Sequence, residues 1–225
     1  MVNAVYASIA WVVAASLLGF GISFVFADRF KLSRRVFLIP YVVLAGAFLY
    51  GFVRSIEIDL AALLRQNWIW GIVAGVIAGI ILVVNVRSQP ASRQSQGGEL
   101  AFDLAWLGLV YGILDALFLN VMPVLAVWVF TEGATTWPGK IGFGILALTA
   151  SLLVTFAYHV GYAEFRNKSV GLVLVGNAVI TLAYLISGNP LGAILSHTVM
   201  HIAATIQGPE TTIQLPPHRS KTLAV

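Results

Sequence analysis

The sequence predicts an all-α protein, a polytopic bundle of about seven transmembrane helices with its N-terminus outside and its C-terminus inside. Three observations carry this reading. The 225 residues are 59% hydrophobic and 10% charged, with a mean hydropathy of +0.91, whereas a soluble domain averages about 25% charged residues. The hydrophobic residues fall in long blocks, several near the roughly 20 residues that cross a bilayer. No polar stretch is long enough to build a separate soluble core.

The first span, 4–26, lacks a positively charged leader, and charges rather than a small-residue cleavage site follow it. It therefore reads as a retained helix and not as a signal peptide. Asp28 to Arg35 separates it from the second span, 36–53. Arg54 to Asn67, with Glu57, Asp59 and Arg65, reads as a short interfacial helix. In the third span, 68–86, Gly71, Gly75 and Gly79 form a small-residue ridge for close helix approach, and Trp68 and Trp70 sit at the interfacial belt. The Ser/Gln/Gly-rich stretch from Arg87 to Glu99 is a flexible linker.

The fourth span, 100–122, is followed by apolar sequence past Pro123 to Phe130, too long for one crossing and too short for two. A break near Pro123 is expected, then an interfacial or re-entrant piece. A loop from Thr131 to Lys140 leads to the fifth span, 141–161. Glu164 to Lys168 leads to the sixth, 169–187, and the turn Gly188-Asn189-Pro190 to the seventh, 190–206. Residues 1–206 are thus the bundle and 207–225 a polar cytoplasmic tail. Gly208 to Thr212 should cap the last helix. Beyond it a disordered end is expected, with docking as the alternative.

Positive charge orients the chain. With the N-terminus outside, inside segments hold Arg29, Lys31, Arg34, Arg35, Arg87, Arg93, Arg166, Lys168, Arg219 and Lys221, against Arg54, Arg65 and Lys140 outside. The formal charge of +4 therefore reports topology and not nucleic-acid binding. The lipid bilayer is the expected partner, with an oligomer or complex subunit left open. A multi-pass protein of the cell membrane, a bacterial inner membrane, is the expected setting. Zero cysteines exclude disulfides and thiolate sites. No lysine lies within a span, which excludes a retinal Schiff base.

Four titratable groups lie inside spans: Asp115, His159, His197 and His201. Such groups are costly in hydrocarbon and usually face the bundle interior. His197 and His201, four apart, share one helix face. Asn120 follows Asp115 by five residues, and Asn177, Asn85, Thr155 and Ser151 are further polar groups in or at the ends of spans. Asn177, Asn85 and Thr155 read first as interhelical hydrogen-bonding groups. Two chemistries fit the four titratable groups. Three imidazoles and a carboxylate (His159, His197, His201 and Asp115) can hold zinc or a similar borderline ion. Alternatively, a carboxylate and a histidine activate a water while other polar groups stabilise an oxyanion. At about 1.5 Å per residue, Asp115 and His201 fall near mid-bilayer, with His159 roughly two turns nearer the cytoplasmic side.

The order carboxylate, lone histidine, late His-x-x-x-His resembles the CaaX protease and bacteriocin-processing family of intramembrane endopeptidases. Asp115-Ala116-Leu117-Phe118-Leu119-Asn120 keeps the spacing of that family's Glu-Glu-x-x-x-Arg motif, Thr155 to His159 that of Phe-x-x-x-His, and His197 to His201 that of His-x-x-x-Asn. The resemblance covers residues 100–206. It implies an intramembrane hydrolase acting on a membrane-protein or peptide substrate. Asp115 would activate water with help from His159, and His197 and His201 would line the oxyanion site or hold a metal, with Asn120 in the position of the motif's arginine. The motif's second Glu and its Arg are replaced by Ala116 and Asn120, so the alternatives are a divergent member and a relative that kept the fold without proteolysis. The ceramidase-like superfamily also uses three histidines and an aspartate, in an order that differs from this one. Outside hydrolysis, a metal- or haem-binding protein, an accessory subunit of a membrane complex and a transporter are the competing readings. The lack of a visible internal repeat counts against an inverted-repeat transporter.

Overall fold

The computed structural model describes residues 2–56, 58–131 and 136–218. Glu57, residues 132–135 of the Thr131–Lys140 loop, and tail residues 219–225, with Arg219 and Lys221, lie outside the described residues. Among the described residues all regular structure is helical. The helices are α1 Val5–Arg29, α2 Arg34–Ser55, α3 Leu60–Arg65, α4 Trp68–Arg87, α5 Gly97–Val129, α6 Trp137–Gly161, α7 Ser169–Ser187 and α8 Leu191–Gln207. All but α3 and α8 are long and apolar enough to cross a membrane. The expected seventh segment is α8, a helix of 17 residues, slightly short of the roughly 20 of a full crossing. The short helix expected between Arg54 and Asn67 is α3. Asp59 starts it by accepting from the amides of Ala61 and Ala62 at 2.9 and 3.0 Å, and none of its residues is buried.

α5 is the axis of the bundle. In its most apolar stretch 72% of residues are buried, against 28–33% in the other five long helices. Those five turn most of their apolar surface outward, as helices facing lipid do. α5 also corrects one expectation, because the chain does not break at Pro123. Proline has no N–H to give the carbonyl four residues back, and its ring crowds that carbonyl. Here the carbonyl belongs to Leu119, and Ser151 of α6 donates its hydroxyl to it at 2.6 Å. The preceding turn, Ala116–Val121, is widened to π geometry, and the helix runs on through Pro123 to Thr131. A neighbouring hydroxyl and a π turn are among the devices that let a membrane helix keep a proline.

The glycine ridge of α4 does what its spacing predicts. A β-carbon on Gly75 would lie 3.0 Å from Leu195 Cβ and 3.2 Å from the Gly192 and Leu191 carbonyls, so α4 and α8 pack almost backbone to backbone. α1 is set against α6 in the same way. A β-carbon on Gly161 would overlap the Ser23 hydroxyl, which donates to the Tyr158 carbonyl at 2.7 Å.

One end of the bundle carries Arg34, Arg35, Arg87, Arg166 and the tail, and its charges are tied together. Arg35 grips Asp103 with two bonds of 2.7 Å and Glu99 with a third. Arg166 reaches Asp28 at 2.9 Å. Gly208 closes α8 with its amide on the Ala204 carbonyl at 3.0 Å. The following residues, up to His218, dock on this end rather than trailing away. Thr212 and Leu215 are fully buried, and buried Arg34 donates to the Leu215 carbonyl. Tyr111 donates to the Pro216 carbonyl at 3.3 Å. His218 sets one ring nitrogen 3.1 Å from Glu164 and the other 2.6 Å from the Thr212 carbonyl.

Candidate functional site

Three of the four expected ionisable groups meet. α5 carries Asp115 and α8 carries His197 and His201, all buried. Asp115 Oδ2 lies 3.5 Å from His201 Nε2 and 3.8 Å from His197 Nε2. The other carboxylate oxygen accepts from the Tyr41 hydroxyl of α2 at 2.6 Å. This convergence rests on Gly112, one turn before Asp115. A β-carbon there would lie 2.7 Å from Thr198 Cα and 3.2 Å from His201 Cβ, so a side chain would force α8 away from the carboxylate. Gly108, a further turn back, faces Ile202 at similar range.

Asn120 joins the site through the π turn. In an α-helix residues five apart point about 140° away from each other. π geometry, with its i→i+5 hydrogen bonds, brings them nearly into line. Asn120 gives both amide protons away, to Asn177 Oδ1 at 2.8 Å and Thr181 Oγ1 at 2.9 Å. Its Oδ1 therefore faces His197 Nδ1, at 3.0 Å. Asn177 continues the chain to Ser151 at 2.9 Å. The hydrogen-bonding role expected of Asn177 is the one it has. Asn120, expected among catalytic groups, has its amide committed to orienting His197 and pinning α7.

His159 stands apart from the cluster. Its Nδ1 is 2.8 Å from the Thr155 carbonyl on its own helix, and its ring packs edge-on against Tyr158 and Phe165. Among the described residues, the group whose ligand atoms all lie within 4.8 Å of one another is Asp115, His197 and His201. The expected four-ligand set therefore reduces to three, with the fourth imidazole turned to its own turn of helix and an aromatic cluster.

His159 nevertheless shares a cavity of about 470 Å³ with the other three. Asp115, His197, His201 and Asn177 are among its polar lining, and Leu119, Ile180 and Met200 among its apolar lining. Thr155 Oγ1, also lining it, is buried with no hydrogen-bond partner. Asn85, Gln89, Thr211 and Gln214 form the rim at the tail end of the bundle. Among the described residues Asp115 is the acidic residue of the lining, and no lysine or arginine contributes to it. The tail and the segment that follows α4 are stitched at this rim: Gln89 donates to Gln214 at 3.1 Å and accepts from the Ile213 amide at 2.9 Å.

Because the tail forms part of the rim, a chain ending at Gln207 is expected to open the cavity. The cysteine-free sequence offers a direct test. Ile180→Cys, placed on the cavity wall, should react with a water-soluble maleimide several-fold faster in the shortened chain than in the full one. Equal rates would show that the tail does not cover the cavity.

Tyr41 and the Gly108–Gly112 pair escaped the sequence reading. Glycines at a four-residue spacing one turn before an intramembrane carboxylate were the legible signal for the pair. Nothing in the sequence around Tyr41 marks it.

No family model matches the chain, and no solved structure matches it. Among curated proteins it is similar to solute carrier family 35 member F3 of mouse and of human, 24% identical to each over 159 residues. The match covers 64% of this chain and 37% of each relative, so the chain spans well under half the length of the proteins it resembles. This similarity corrects the functional expectation. The relatives are solute carriers by name and not hydrolases, and the intramembrane hydrolase using Asp115 and His159, with its peptide substrate, is set aside. Its alternative, a metal- or haem-binding or accessory subunit, gains no support from it either. The multi-pass membrane setting stands.

Proposed function

We propose that this chain is a multi-pass membrane transporter, whose solute site is the cavity between α4, α5, α7 and α8. The observation that carries the reading is the similarity to solute carrier family 35 member F3 over 64% of the chain. The cavity supports it: a few polar groups stand among mostly apolar walls, the arrangement a small ligand needs for both capture and orientation. The unpartnered Thr155 hydroxyl in its wall adds a hydrogen-bonding group for a guest. By the distribution of lysine and arginine the tail end of the bundle faces the cytoplasm, and solute enters or leaves there, beneath the docked tail.

The test is uptake by the purified full chain in liposomes, across a panel of small organic solutes and inorganic ions. At least one solute is expected to accumulate above protein-free vesicles. Gly176→Phe, which places a ring in the cavity wall, is expected to abolish that accumulation while the protein still folds and inserts. A panel with no accumulated solute, or uptake unchanged by the blocked cavity, overturns the proposal.

A further inference from the structure

The Asp115 cluster presents three electron-pair donors to one point. His201 Nδ1 faces the Leu107 carbonyl at 3.3 Å, an acceptor only, so Nδ1 carries a proton and the neutral ring keeps its lone pair on Nε2. His197 is fixed in the same tautomer by Asn120 Oδ1. Both bare nitrogens turn toward Asp115 Oδ2. Two neutral imidazole lone pairs and a carboxylate repel one another unless a positive charge lies between them. The distances suit a larger cation better than a shared proton. At 3.5 and 3.8 Å the pairs are longer than the 2.7–3.2 Å of an N–H···O hydrogen bond. Ligands about 2.0–2.2 Å from a tetrahedral zinc ion are separated from each other by about 3.4 Å.

We infer that Asp115, His197 and His201 bind one borderline divalent transition-metal ion, of which Zn²⁺ is the best match. Two imidazoles with one carboxylate is a donor set that suits such ions, and the absence of sulfur ligands disfavours Cu⁺. The surroundings complete the case. Tyr41 holds the second carboxylate oxygen, Asn120 holds His197, and the Leu107 carbonyl holds His201. Outer partners of this kind orient metal ligands and raise their basicity. Three protein ligands leave a fourth position toward the cavity, whereas structural zinc sites are closed by four. Resting on the carrier reading, this makes a divalent transition-metal cation the solute class that the cavity takes.

The experiment is titration of the purified full chain in detergent with Zn²⁺, and with Co²⁺ followed by its visible absorption. One ion per chain is expected, with the spectrum of a tetrahedral site. Asp115→Asn and His201→Asn are expected to lose at least 100-fold in affinity, while His159→Ala and His218→Ala bind as the parent does. His201→Asn keeps a donor for the Leu107 carbonyl, and a cooperative thermal transition in each variant shows that it has folded. No saturable binding by the parent, or affinity unchanged in the folded Asp115 and His201 variants, overturns the site. Zn²⁺ uptake by liposomes separates the two proposals. Binding without Zn²⁺ uptake leaves the site standing and, where no other solute accumulates either, removes the carrier. Uptake of another solute by a chain that binds no metal does the reverse.

Discussion

Gly112→Val is expected to be the most damaging single substitution in the bundle. The added side chain meets the backbone of Thr198 at 2.7 Å, and a helix backbone cannot swing aside as a flexible side chain can. Overpacking a tight core costs about 1–3 kcal/mol, and a backbone clash belongs at the upper end, near ~3 kcal/mol. Displacing α8 also withdraws both imidazoles from Asp115, so Zn²⁺ binding should vanish in whatever fraction folds. Gly46→Ala is the control. Nothing lies within 4 Å of its added carbon, and alanine in place of a helical glycine gains up to about 1 kcal/mol. Thermal unfolding of the purified proteins in detergent checks both. A Gly112→Val protein that melts with the parent would mean that α5 and α8 do not approach as described.

Asn120→Leu is expected to cost about 2 kcal/mol. Its amide makes three buried side-chain hydrogen bonds, and within membranes such bonds average about 0.6 kcal/mol each. The effect on the site is larger than the effect on stability. His197 loses the group that fixes its tautomer, and loss of an outer partner lowers metal affinity about 10–100-fold. Asn85→Leu, at the exposed rim, should stay within about 0.5 kcal/mol of the parent. Calorimetric titration with Zn²⁺ beside the melting curves separates the two effects. Unchanged affinity in Asn120→Leu would place His197 outside the site.

Hydropathy made the long helices legible, and α7 has the bounds its punctuation predicts, because lysines, arginines and Gly-Asn-Pro turns mark the ends of an otherwise apolar chain. The Gly71–Gly75–Gly79 ridge was readable for the same reason that it works: three small residues on one face have few other uses. The course of α5 was not readable. Pro123 reads locally as a break, and the hydroxyl that rescues it comes from Ser151 on another helix. The expectation of a shared site for Asp115, His159, His197 and His201 came from burial cost and from the i, i+4 spacing of two histidines, and three of the four groups converge. Which imidazole would be left out was decided by side-chain direction, since His159 turns to the Thr155 carbonyl. Asn120 was placed by a local change in helical pitch that residue spacing does not announce. The docked tail was hidden by its composition, because prolines and polar residues read as solvated chain whether or not a surface awaits them.

The pairing of α1 with α6 and of α4 with α8 carries a cost during biogenesis. As the chain leaves the ribosome, Asp115 enters the insertion machinery more than 80 residues before His197 exists. Until the last helix arrives, its carboxylate has the Tyr41 hydroxyl and no imidazole, and α4 offers its glycine face to lipid. A half-synthesised intermediate is therefore the form most exposed to membrane quality control, and the arrival of α8 completes the cluster.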